Sequence, residues 1–346
     1  MEPRSYPKIV TARSSRKAVT ISRQGLVRFD SLPGGSNLPI LITPSIEGVS
    51  LPDWLTFNRG LVEDHLKRNG GILFRDFAID SPDEFEQVVK GLSEELLEYS
   101  YRSTPRSRVS GRIYTSTEYP DYQQIALHNE HAYARNWPSK IWFFCLQAPR
   151  SGGETPIADS RNVYQLISPE IRQRFEKRRV RYVRNYGSSI DLPWQSVFQT
   201  SDKSEVEEYC RKSGIEFTWI GYDRLRTTQV CQAVARHPVT EEKVWFNQAH
   251  LFHISGLQAE VRRNLLETFE EEDLPRNAYY GDGTPIDEQE LDEIREAYRK
   301  ATVAFQWRQS DVLLLDNMLV AHGRNPYEGP RRVLVGMTDL LSGEEI

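Results

Sequence analysis

His128-Asn129-Glu130, followed far downstream by His322 and then Arg331-Arg332, offers two imidazoles, a carboxylate and a guanidinium. Two His and one carboxylate on one face of a divalent ion leave its other positions open. That suits a non-haem iron binding a co-substrate and O2 better than an ion held for structure. Residues i and i+2 of an extended segment point to the same side, so His128 and Glu130 are expected to reach one ion. The tripeptide alone is a weak sign, and its neighbours strengthen it. His322 ends a segment in which Leu313-Leu314-Leu315 and Met318-Leu319-Val320-Ala321 flank the polar pair Asp316-Asn317, which reads as a hairpin presenting His322 at the mouth of a barrel. A turn-rich loop over 323–330 then leads to Arg331-Arg332 at the head of another strand.

The elements that must carry these residues are legible in outline. Ser81 as N-cap, Pro82 at the first position and Glu84 closing a capping box start a helix whose stripe is Phe85, Val88, Val89, Leu92 and Leu96. Similar starts occur at Ser168-Pro169 and Asp287, and Val261, Leu265, Leu266 and Phe269 mark another amphipathic helix. Strand-like runs cover 71–77, 140–146, 180–186, 215–222, 243–247, 302–307, 311–315 and 332–337. Many short strands with helices outside predict a mainly β protein, a sandwich or barrel with helical insertions. Residues 1–40, rich in Arg, Ser, Gly and Pro, are expected to form a loosely packed N-terminal arm. A single domain over 41–346 would follow, with a helical insertion around 250–300.

With 346 residues, 38% hydrophobic and 11% aromatic, the chain can bury a sizeable core. No apolar run approaches the roughly 20 residues of a membrane helix, and Met-Glu-Pro-Arg-Ser lacks the apolar stretch of a signal peptide, so none is expected. Cys145, Cys210 and Cys231 are odd in number and widely spaced, which fits a reducing compartment, so a cytoplasmic protein is expected. A net charge of -5 argues against nucleic acid as a partner.

From about Gly71 to Leu340 the chain resembles the Fe(II)/2-oxoglutarate-dependent oxygenases of the taurine dioxygenase type. Gly152-Gly153-Glu154-Thr155 follows His128 at the family's interval. The resemblance implies a double-stranded β-helix (jelly-roll) core, with Fe(II) held by His128, Glu130 and His322 as the catalytic centre. It also implies 2-oxoglutarate as co-substrate beside O2, with Thr155 and Arg332 on its far carboxylate. The interval from His322 to Arg332 is one residue shorter than the family's, which leaves Arg331 as the alternative. An Arg fork suits a carboxylate. Halogenases related to the family replace the carboxylate ligand by Ala or Gly, so the retained Glu130 implies hydroxylation over chlorination.

Within that family the chain looks closest to syringomycin-type aspartyl β-hydroxylases, on Tyr114-Thr115-Ser116-Thr117-Glu118-Tyr119-Pro120, Leu127-His128-Asn129-Glu130, Trp137-Pro138-Ser139-Lys140-Ile141-Trp142-Phe143-Phe144, Gly152 through Arg161 and Asn247-Gln248-Ala249-His250. This implies hydroxylation of an amino acid or of an amino-acyl group on a peptidyl carrier protein, in nonribosomal peptide type metabolism. Taurine is disfavoured, because Gly336 stands where the family's sulfonate-binding Arg would be.

Three residues are candidates for substrate contacts. Gln124 matches a substrate-touching position, or is a surface Gln; Asn247 lines the pocket, or hydrogen-bonds a turn; Arg184 binds a carboxylate, or is an exposed strand residue. His250 and His253 read as structural or pocket-lining, and neither His131 nor His65 is expected to bind iron. The basic run Arg172, Arg174, Lys177, Arg178 and Arg179 is a carrier-docking face or a solvated helix face. Desaturation, epoxidation or cyclisation by the same iron chemistry stays open, as do self-association and a non-enzymatic jelly-roll binding protein.

Overall fold

The run expected as a strand over 140–146 is the centre of Asn136–Gln147, the longest strand of the largest sheet. The computed structural model describes residues 23–93, 95–98, 106–116, 119–187 and 192–343. Among them the largest sheet runs in the order Val27–Asp30, Ile40–Pro44, Gly71–Phe74, Val312–Asp316, Asn136–Gln147, Arg332–Ser342, Ile113–Thr115 and Arg108–Ser110. A second sheet has the order Thr302–Val303, Ile157–Asp159, Val320–Arg324, Ile125–His128. One core joins the two: Phe143, Leu313, Leu315, Val333 and Val335 of the large sheet pack with Ile157 and Val320 of the small one. This is the expected jelly roll.

Val312–Asp316 shows no polar alternation because both of its faces are buried. Leu313 and Leu315 enter the core between the sheets, while Val312 and Leu314 meet the helices Leu51–Phe57 and Pro82–Leu92 on the outer face. The capping box on Pro82–Leu92 is formed in full, with Ser81 Oγ accepting from the Glu84 N–H and the Glu84 carboxylate accepting from the Ser81 N–H. Asp287 caps Glu288–Ala301. Ser168 precedes Pro169–Arg178 but makes no side-chain cap bond.

A third sheet, Glu216–Ile220, Arg224–Cys231, Val180–Tyr186 and Arg276–Tyr280, builds a second core with the helices that follow. The 250–300 region holds Ala249–Phe252, Ala259–Thr268 and Glu288–Ala301, with the strand Arg276–Tyr280 among them. Ala259–Thr268 forms as its stripe predicts but buries none of it, leaving Val261 44% and Leu266 48% exposed.

Two expectations need revision. Residues 1–22 of the N-terminal arm lie outside the described residues, but its remainder is not loose. Val27–Asp30 pairs with Ile40–Pro44, and Val27 and Leu32 are buried. The strand expected over 302–307 stops after Thr302–Val303, and Phe305 and Trp307 are buried beyond its end. Among the described residues no helix is long and apolar enough to cross a membrane.

Candidate iron and 2-oxoglutarate site

His322 lies directly across from His128 where Val320–Arg324 pairs with Ile125–His128, and the two ring centroids are 4.6 Å apart. The pairing is irregular just beyond, and a Cβ on Gly323 would sit 2.5 Å from the Ile125 carbonyl oxygen. Only glycine permits that approach. The strand ends at His128, so Glu130 belongs to a turn and not to the extended segment expected. Asn317, at the turn before His322, bonds both backbone groups of Glu130 and draws that turn inward. His128, Glu130 and His322 thus converge, each with a ligand-type atom within 4.8 Å of the others.

Their electrostatics suit a divalent ion. Burial lowers the proton affinity of both His128 and His322, leaving neutral imidazoles with lone pairs available. Burial would raise the Glu130 carboxyl, but Arg106, then His131, His128 and His322, outweigh it and hold the pKa at about 2. All three side chains are therefore in the protonation states that metal binding requires. His128 Nδ1 lies 2.9 Å from the Ala126 carbonyl oxygen, a contact that orients the ring and leaves Nε2 for a metal. The donor set fits iron.

Sequence reasoning missed Arg106 and Asn317. Arg106 is buried and its Nη2 donates to Glu130 Oε2 at 2.7 Å. In Thr104-Pro105-Arg106-Ser107-Arg108 nothing marks it out from Arg108. Asn317 did carry a signal, because an Asn in an apolar run must find buried partners.

The co-substrate half of the site lies beside the triad. One cavity is lined by His128 and His322 together with Thr155, Arg331, Ser116, Phe143, Val333 and Val335. Gly152 and Gly153 both have positive φ, and a Cβ on Gly152 would meet the Pro326 carbonyl oxygen at 2.3 Å. Their turn brings Thr155 inward, where Trp307 Nε1 donates to its hydroxyl at 3.1 Å. The Thr155 O–H is then left to donate to an anion.

Three arginines line this cavity, Arg106 on Glu130, Arg324 and Arg331, whereas Arg332, the favoured residue, is exposed and does not line it. Side chains alternate along a strand, so Arg331 shares the face of Val333 and Val335. The extra residue of the nearby bulge, Leu146, is on the partner strand and leaves that alternation intact. Arg331 Nε donates to the Gly153 carbonyl at 3.0 Å. Burial, reinforced by Arg324, draws its pKa down to about 10, so it stays cationic at neutral pH. Arg324 is engaged elsewhere, donating to the carbonyls of Tyr119, Pro120 and Gln123 and so pinning the approach to the His128 strand.

The substrate candidates separate. Arg184 is 1% exposed, against the alternative of an exposed strand residue, and lies 4.8 Å from the Tyr186 ring and 5.7 Å from the Tyr133 ring. Asn247 is spent on structure: Nδ2 donates to the Ala233 carbonyl and Oδ1 accepts from the Ala249 N–H. Gln124 is exposed and does not line the cavity. His250 is buried with Nε2 3.0 Å from the Leu127 carbonyl oxygen, His253 accepts from the Ser255 N–H, and His65 stacks on Phe29. His131 adopts φ 57° in the turn and lies 3.7 Å from Glu130 Oε1. In the basic run Arg174 pairs with Glu290, Arg178 with Asp282, and Arg172 packs on the Tyr164 ring.

A family model described as taurine catabolism dioxygenase TauD, TfdA family matches residues 35–338. The dapdiamide synthesis protein DdaC of Enterobacter agglomerans is 44% identical over 299 residues, 86% of this chain and 90% of that protein. A clavaminate synthase-like protein of Arabidopsis thaliana is 33% identical over 318 residues, 86% and 93% of the two chains. Among solved structures, PvcB of Pseudomonas aeruginosa superposes with a TM-score of 0.57 at 16% identity, covering 94% of this chain and 96% of that one. A taurine dioxygenase of Burkholderia xenovorans does so with 0.54 at 15% identity, covering 93% of both. The two structures share the jelly-roll fold. With a family model spanning most of its length and a relative this similar, the chain belongs to the TauD/TfdA family and is an iron- and 2-oxoglutarate-dependent dioxygenase.

Proposed function

We propose that this enzyme hydroxylates a C–H bond of an amino acid, free or held as an amino-acyl group on a carrier protein, in the specialised metabolism of natural products. The observation that carries the reading is the cavity that joins His128 and His322 to Thr155 and Arg331, with Glu130 retained beside it. DdaC, named for dapdiamide synthesis, supports the metabolic setting.

In this reading His128, Glu130 and His322 hold the iron, which with 2-oxoglutarate and O2 supplies oxidative decarboxylation of the co-substrate to succinate and CO2. Arg331 and the Thr155 hydroxyl bind the far carboxylate of 2-oxoglutarate, a pairing of a planar fork with a neutral donor. Their direction fixes how the keto-acid end meets the triad. Phe143, Val333 and Val335 keep that end out of bulk water, which strengthens each polar contact. Arg184, buried near Tyr133 in the turn that carries Glu130, is the candidate for a substrate carboxylate. The three cysteines are buried free thiols, which supports a cytoplasmic enzyme.

The test is incubation with Fe(II), 2-oxoglutarate and either free amino acids or aminoacylated carrier proteins, following succinate and product mass. A product heavier by one oxygen supports hydroxylation. Loss of two hydrogens would replace it with desaturation or ring closure, and no substrate-stimulated succinate from either panel would reject the amino-acid reading.

A further inference from the structure

A cleft of about 650 Å³ lies apart from the iron and co-substrate cavity, and among the described residues the two share no lining side chain. Its size suits a small organic ligand. Arg135, Arg179, Arg236 and Lys243 line it, and Glu176 is the one carboxylate among its described lining residues. Four cations against one anion leave it three positive charges in excess, in a chain whose net charge is -5. Composition therefore does not account for it. Like charges gathered in one concavity repel each other, and the field they focus draws an anion.

The chain supplies no such anion among the described residues. Glu176 is taken by Lys243. Arg236 Nη1 donates to the Glu241 carbonyl at 2.6 Å, and Arg135 Nη2 lies 3.5 Å from the Val230 carbonyl oxygen, so both meet backbone and not carboxylate. Arg179 adds an independent sign. It follows the helix Pro169–Arg178 at φ 61° and ψ -173°, a conformation open mainly to glycine and strained for any side chain. The Gly281 N–H fixes that corner, donating to the Arg178 and Arg179 carbonyls at 3.0 and 3.2 Å. An arginine in a glycine conformation has a use if its guanidinium meets a partner from outside the chain.

We propose that this cleft binds a small organic polyanion, bearing phosphates or several carboxylates, at a site distinct from that of 2-oxoglutarate. Guanidinium forks match the oxygens of either group.

The test is calorimetric titration of the anaerobic Fe(II) protein, saturated with 2-oxoglutarate so that the Arg331 cavity is filled. Fructose 1,6-bisphosphate is the phosphate probe and tricarballylate the carboxylate probe, and whichever binds one-to-one identifies the anion. Arg179→Gly and Arg236→Ala should each weaken binding about tenfold, the loss of one charge-assisted bond. Arg179→Gly should do so with Tm equal to or above wild type, because it also relieves the strained backbone. Arg172→Ala, on the same helix but outside the cleft, and Arg331→Ala should leave affinity unchanged. Binding of neither probe at millimolar concentration would overturn the proposal. So would binding that survives both cleft variants or disappears in Arg331→Ala. Glu344 and Glu345 follow the lining residue Gly343 in sequence, so the double variant Glu344→Gln, Glu345→Gln is titrated too. Binding seen only there would make the chain's own carboxylates the occupant, and would also overturn it.

Discussion

Asn317 grips Glu130 by both of its backbone groups: Oδ1 accepts from the Glu130 N–H at 2.8 Å, and Nδ2 donates to the Glu130 carbonyl at 2.9 Å. The same Nδ2 also donates to the Pro138 carbonyl, and Asn129 Nδ2 donates to the Asn317 carbonyl. The turn before one ligand, His322, therefore holds the turn that carries another. Asn317→Ala leaves several buried groups without partners at about 1–3 kcal/mol each. We expect a loss of about 3 kcal/mol in urea unfolding and metal binding weaker by about 10–100-fold. Asn317→Asp, which keeps the acceptor and loses the donor, should fall between; wild-type metal affinity in the Ala variant would refute the clamp.

Arg331 and Arg332 should respond in opposite ways to mutation. A charge-assisted bond to a carboxylate is worth about 1.5–3 kcal/mol, so Arg331→Ala should raise KM for 2-oxoglutarate roughly 10–100-fold. Arg332→Ala should leave it within about twofold, as for an exposed residue away from the cavity. Succinate formation against 2-oxoglutarate concentration decides, and the reverse ranking would restore the assignment favoured by spacing.

Acid should destabilise the metal-free protein in a defined window. Burial depresses His128, His322 and His250, the last to about 3, below the ordinary 6.5. The unfolded chain binds protons at these sites below pH 6.5 while the folded chain does not, so stability is full above that pH and falls as pH drops. Glu130, held at about 2 against 4.5, extends the loss below 4.5. Tm should be level above neutrality and decline steadily from about 6.5 downward. A Tm independent of pH across that range would contradict the buried, neutral state of these imidazoles.

Much of this arrangement was legible in the sequence, for identifiable reasons. The capping box at Ser81 is local chemistry, and it formed as read. The strand Val180–Tyr186 coincides with its apolar run. The His and Glu positions were found because metal ligands are few in type and keep their intervals. What failed depended on tertiary context. Arg331 and Arg332 are adjacent and alike, and only the face shared with Val333 and Val335 tells them apart. Arg184, open between a substrate contact and an exposed strand residue, is buried on the third sheet near the Tyr133 and Tyr186 rings, which its local sequence does not show. Asn247 takes the turn-bonding role that stood as its alternative, through Ala249 and Ala233, while Arg106 has a role set by Glu130 on another segment.

Asp311 anchors the hairpin that presents His322. Arg75 donates to it from Nε at 2.9 Å and from Nη2 at 2.6 Å, and the Arg308 N–H donates at 2.7 Å. Both side chains of the ion pair are buried. Removing one partner of such a pair strands the other charge, so Asp311→Ala should cost about 3–5 kcal/mol in denaturant unfolding. A cost below about 1 kcal/mol, the range of surface pairs, would show the guanidinium reaching water instead.

The central claim is that His128, Glu130 and His322 hold an iron that 2-oxoglutarate chelates. Anaerobic titration of the Fe(II)-loaded protein with 2-oxoglutarate, read by visible absorption, tests it most directly. A weak charge-transfer band should grow to saturation in wild type and be absent in His128→Ala and His322→Ala. No band in wild type, or an undiminished band in either variant, would contradict the assignment.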